Sequence, residues 1–139
     1  MDVSECIERG LLKKIDKSNA KSIRSLEIAK MKLEKAVKLQ IAGFFEEALI
    51  SSYSCIFHAS RAILFRDGYK EKSHYAVYVY MREKYRDKLE PRFINELDAL
   101  RLERHEIMYS LELTSVKKDE AIRIIEIAKD FMNAIKKML

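Results

Sequence analysis

The sequence predicts an all-α protein: an antiparallel helical bundle of four to five main helices plus a short N-terminal helix. Three observations carry this. Gly occurs three times and Pro once in 139 residues, so helix breakers are few and well separated. Apolar residues recur at i, i+3, i+4 over long segments. The links between those segments are short, which makes neighbouring helices antiparallel. Apolar residues are 48% and charged residues 35% of the chain, the balance of a folded globular protein. Its length is enough to bury a core without disulfides, as one domain over residues 1–139 with residues 1–18 as an N-terminal extension.

Residues 2–12 are expected to form a short amphipathic helix, and KIDKSNAK is a polar break. A long helix follows from about Asn19 to Ile41, with Ile23, Leu26, Ala29, Leu33, Ala36 and Val37 at helical spacing. Ala42 and Gly43 end it. The next helix spans about Phe44 to Arg66, and Asp67-Gly68 supplies its stop. GYKEKS is read as a loop, and Ser73 as the N-cap of a helix near His74–Tyr85. That segment, HYAVYVYMREKY, is rich in aromatic and β-branched residues and resembles a strand when read alone. With no partner strand elsewhere, it is read as a helix. Pro91 opens a helix running to about Leu113. Thr114-Ser115 caps the last one, with Asp119 and Glu120 in its first turn and Lys136 and Lys137 in its last.

No stretch approaches the roughly 18 apolar residues of a membrane helix. The N-terminal MDVSECIERGLLKKIDK lacks an apolar signal region. A cytoplasmic protein with no membrane partner is expected. The two cysteines, Cys6 and Cys55, stand at no zinc-ligand spacing from a histidine and are expected as reduced thiols, Cys55 buried. No metal and no cofactor is expected. The net charge of +5 permits contact with RNA or an acidic partner without demanding it.

On a helical wheel of residues 91–113, Phe93, Leu97, Leu100, Ile107, Met108 and Leu111 share a face, and Arg104 falls in its middle. A guanidinium there is costly unless paired or wet, and Arg cannot shed its proton. Two accounts of it stand. It is a snorkelling or salt-bridged structural residue, or its face opens onto a cleft or subunit interface where the charge meets a phosphate. Beside it, Arg101, His105 and Tyr109 follow at i, i+4, i+8. In the helix 44–66, Phe45, Ala48, Leu49, Ser52, Cys55, Ile56, Ala59 and Ile63 make a broad core face. Tyr53, Phe57, His58, Arg61 and Leu64 lie opposite. A helix apolar on two sides is central to its bundle or faces a second subunit. His58 and Arg61 are read as cleft-rim or interface residues, and Phe57 as packing.

The run Phe57-His58-Ala59-Ser60-Arg61-Ala62, then Gly68, then Lys72-Ser73-His74, resembles a stretch of small prokaryotic HEPN proteins. LRLERHEIMYSLELTSVKKDEAIRIIEIAKDFMNAI resembles that family's final two helices, and the likeness spans about residues 25–137. The family's hallmark is Arg, four to six residues, then His, associated with metal-independent RNA cleavage at a cleft between two protomers. Here Arg104 is followed after four residues by Tyr109, the pattern of a subgroup of short HEPN proteins. Arg101 and His105 have only three residues between them. An unperturbed Tyr titrates near pH ~10 and is a poor base at neutral pH.

The resemblance implies a nucleic-acid or nucleotide-related role, and three readings of it follow. One is a metal-independent ribonuclease or toxin component, with Arg104, Tyr109 and His105 catalytic at a homodimer cleft, and Arg101, Arg61 and His58 binding phosphate or nucleotide. Another is a non-catalytic binding module partnering a small nucleotidyltransferase, with Tyr109 a candidate for modification. The third is a helical dimer whose polar stripe specifies pairing.

Overall fold

Ser18, Gly68, Ser73 and Pro91 punctuate the chain and set the ends of its long helices. The computed structural model describes residues 1–139. In chain order the elements are α1 (Val3–Glu8), β1 (Leu12–Lys14), α2 (Asn19–Ile41), α3 (Phe45–Asp67), β2 (Tyr69–Glu71), α4 (His74–Tyr85), α5 (Pro91–Tyr109) and α6 (Lys118–Met138). The Ser18 hydroxyl accepts from Lys21 N–H, and that of Ser73 from Ala76 N–H. Each satisfies a donor that the first helical turn leaves unpaired. Pro91 needs no donor in the first turn of α5.

α2 and α3 form an antiparallel hairpin. Ser22 donates to the Ala62 carbonyl, Ser25 to that of His58, and Ser51 to that of Lys32. Buried Ser22, Ser25, Ala29 and Ala36 make the inner stripe of α2 small, so the two backbones approach closely. α3 runs through the centre, touching α2, α4, α5 and α6. That explains its two apolar sides: Tyr53 and Leu64, on the face opposite the main core stripe, are also buried. α6 closes the bundle with Ala121, Ile124, Ile125, Ala128, Phe131 and Ile135. Phe131 meets Phe93 of α5 edge to face, ring centres 5.6 Å apart.

The fold is all-α, as the sequence predicts, with differences at the element ends. α1 stops at Glu8 instead of residue 12, because Gly10 turns the chain at φ 74°. Leu12–Lys14 then pairs antiparallel with Tyr69–Glu71, Leu12 opposite Glu71. The GYKEKS segment is therefore partly a strand, and a partner strand does exist; it pairs with β2 and not with residues 74–85, which are helical from the Ser73 cap. Gly68 makes this return possible. It caps α3 in the left-handed region at φ 90°, and a Cβ there would lie 2.9 Å from the Ile15 carbonyl oxygen. α5 ends at Tyr109, four residues before Leu113, where Ser110 turns extended. The final helix starts at Lys118 with Lys117 at its N-cap, so Thr114-Ser115 is not the cap.

Contrary to the sequence reading, α3 is long and apolar enough to span a membrane by composition. Most of that window is buried inside the bundle, as for a core helix. Cys6 and Cys55 are both free and buried, and burial pushes the Cys55 thiol up to about 12.

Candidate functional site

Where α5 passes α3 and the start of α4, the core gives way to a layer of aromatic rings and arginines. Tyr53, Phe57 and Arg61 follow one another along α3 at i, i+4, i+8. His74, the first residue of α4, folds back over them because β2 and the Ser73 cap reverse the chain. The Phe57 and His74 rings stack at 4.2 Å between centres with planes 23° apart, and Tyr53 lies 5.6 Å from His74. Arg104 of α5 places its guanidinium 5.7 Å from the centre of the Tyr53 ring, a cation–π contact.

The Tyr53 hydroxyl settles the state of His74. Tyr53 is 1% exposed, and its only hydrogen-bond partner is His74 Nδ1, 2.8 Å away. Burial holds this phenol well above its usual titration range, so it keeps its proton and needs an acceptor. The hydroxyl therefore donates to Nδ1, and the ring hydrogen of neutral His74 sits on Nε2. Burial, then the charges of Arg104, Arg101 and Arg61, hold His74 below the usual imidazole range. Three guanidiniums thus surround one uncharged N–H donor.

These arginines differ in how far their charge is already answered. Arg101 makes two bonds to Asp98 Oδ1, at 3.1 and 2.8 Å, and sits 5.1 Å over the Tyr75 ring. Arg61 Nε is 2.6 Å from Glu71 Oε1, a close ion pair without a well-directed N–H bond. Arg104 has no carboxylate partner. It lies on the inward stripe of α5, one turn past buried Leu100, where the helix leaves the core. This is the position the sequence singles out, with an aromatic floor in place of a salt bridge.

His58 packs edge-on against Phe57, and its Nδ1 lies 3.5 Å from Arg61 Nη1. Burial first, then Arg61, Lys32 and His74, push it down to about 4. It is uncharged at neutral pH and lends the cluster no positive charge. The structure thus gathers Arg104, Arg101, Arg61 and His58 around His74. His105 and Tyr109, both exposed, lie with ring centres 4.8 Å apart and planes tilted by 47° on the solvent side of α5. Five helical positions amount to about 140° around the axis, so Tyr109 points well away from Arg104. The expected companions Met108 and Leu111 are also exposed, because the last turns of α5 and the segment after it project beyond the core.

Tyr53 and His74 are the site residues that sequence reasoning did not assign. The signal was present in the Lys72-Ser73-His74 element, but their contact joins positions 21 residues apart. A family model described as HEPN domain matches residues 23–138. None of the curated proteins compared with the chain matches it.

Proposed function

The chain belongs to the HEPN domain family, which points to a nucleotide- or RNA-related role, and from that premise we propose that it binds a phosphate-bearing ligand through Arg104, Arg101 and Arg61 around His74. One observation carries this: Arg104 is a half-buried cation with no carboxylate partner, beside a neutral His74 N–H. A phosphate oxygen accepts hydrogen bonds from both groups and supplies the charge that Arg104 lacks.

The geometry favours binding over cleavage. Attack by a 2′-hydroxyl needs a base with a free lone pair. The His74 lone pair is occupied by Tyr53, and that of His58 faces Arg61. His105 lies about 100° round α5 from Arg104, exposed, with its ring against Tyr109 on the solvent side. We read the protein as a binding module, the form in which a nucleotidyltransferase partner also fits.

The homodimer belongs to the same reading. Leu111 and Leu113 are fully exposed, and Leu102, Met108 and Tyr109 are largely so. An apolar edge of this kind is a typical interface. A second copy of α5 would cover it. Equilibrium binding of RNA and of nucleotide by the full chain tests the proposal, with Arg104→Ala as the control. Unchanged binding by that variant rejects it.

A further inference from the structure

The phosphate site does not end at His74. α4 carries Tyr75, Tyr78 and Arg82 along one stripe at i, i+3, i+7. The Tyr75 and Tyr78 rings are 6.1 Å apart. The Arg82 guanidinium sits 5.1 Å over Tyr78, and Arg101 sits 5.1 Å over Tyr75 from α5. Cation, ring, ring and cation therefore follow in unbroken order, and the Tyr75 end adjoins His74. Arg82 at one end has no carboxylate partner; Arg101 at the other is paired with Asp98, and Arg104 one turn beyond it has none. Arg82 Nη2 instead donates to the Met1 carbonyl.

A plain core does not need this surface. Tyr75, Tyr78 and Arg82 are only partly buried, and the core side of α4 is already supplied by Ala76, Val77, Val79, Tyr80 and Met81. What remains outside is a strip of π-faces edged by positive charge, the combination that holds single-stranded nucleic acid by stacking and backbone attraction.

We propose that the Arg101–Tyr75–Tyr78–Arg82 ladder, formed by α4 and Arg101 of α5, extends the Arg104–His74 phosphate site into a track for a single-stranded polynucleotide. This rests on the phosphate-binding reading and names its ligand class. The rise from His74 to Arg82 is about 12 Å, room for roughly two to three nucleotides at ~3.4 Å or more each. The ligand is then a strand segment and not a lone mononucleotide. One phosphate sits at Arg104 and His74, a base stacks at Tyr75 or Tyr78, and the backbone continues toward Arg82.

The test is a fluorescence-anisotropy titration of the 139-residue chain at fixed salt. The probes are adenosine monophosphate, by competition, and labelled six-nucleotide single strands in ribose and deoxyribose forms. The single strand is expected to bind at least about tenfold tighter than the mononucleotide, and Tyr78→Ala to erase that gain. Tyr78→Phe keeps the ring and is expected to keep the gain, which separates loss of stacking from loss of fold. Arg104→Ala weakens strand and mononucleotide alike. The tighter of the ribose and deoxyribose forms identifies the natural source. Equal affinity for strand and mononucleotide, or a Tyr78→Ala variant that binds like wild type, overturns the track and leaves the phosphate site standing. Failure of wild type to bind either probe overturns both. Competition by polyglutamate as strong as that by the strand overturns the track in favour of an acidic protein segment.

Discussion

The Tyr53 hydroxyl donates a 2.8 Å hydrogen bond to His74 Nδ1, joining the middle of α3 to the first residue of α4. It leaves His74 with a hydrogen on Nε2 and no free lone pair. Tyr53→Phe removes the donor while keeping the ring under Arg104. Stability is expected to fall by about 1 kcal/mol, the net worth of one such bond. ¹⁵N spectra of the imidazole are expected to change from the single Nε2–H tautomer to a mixture. A wild-type spectrum dominated by the Nδ1–H form contradicts the assignment.

His58, pushed down to about 4 from 6.5, gives stability a pH dependence of definite sign. Above pH 6.5 it is neutral in both folded and unfolded chains and contributes no difference. As pH falls from 6.5 toward 4, the unfolded chain takes up the proton first, so the folded state loses ground. His74 acts in the same direction. Urea midpoints are expected to drop between pH 7 and pH 4.5, and to drop less in His58→Gln. An equal drop in both proteins removes His58 from the account.

Glu103 works in the opposite sense. Burial, then its hydrogen bond with Glu120 and that residue's charge, raise it from 4.5 to about 7. The folded chain holds this proton more tightly, so the stability it adds at low pH is lost as pH rises through 4.5 to 7. Glu103→Gln is expected to stabilise the protein more at pH 8 than at pH 5, by chemical denaturation. A gain of the same size at both values places the effect in packing and not in charge.

The apolar edge beyond α5 is expected to hold two copies together. Leu111→Ser with Leu113→Ser removes two fully exposed leucines and leaves the buried core untouched. Sedimentation is expected to report a dimer for wild type and a monomer for the double variant at micromolar concentration. A wild-type monomer removes the second copy from the account.

The sequence made most of this fold legible, because helix ends are set locally. Ser73 and Pro91 mark their starts by satisfying or omitting the first-turn donors, and Gly68 marks a stop through its φ. The β1–β2 pair was not legible: three-residue strands carry no periodicity, and Leu12 and Glu71 are separated in sequence by the whole of α2 and α3. Arg104 could be found because a charge on an apolar stripe is a local anomaly. Its surroundings could not, since Tyr53 and His74 reach it from two other helices. The wheel also misjudged Met108 and Leu111. Their spacing continues the inward stripe, but α5 ends at Tyr109, so Leu111 is outside the helix and Met108 lies in a last turn that projects beyond the core.

Equilibrium binding of labelled single-stranded RNA to wild type and to Arg104→Ala, with the RNA recovered and sized afterwards, tests the central claim most directly. A guanidinium–phosphate contact is worth roughly 1.5–3 kcal/mol. The expected result is therefore binding by wild type, at least about tenfold weaker binding by the variant, and intact RNA in both. Equal binding by the two proteins contradicts the phosphate site, and RNA cut by wild type but not by the variant contradicts a module that binds without cleaving.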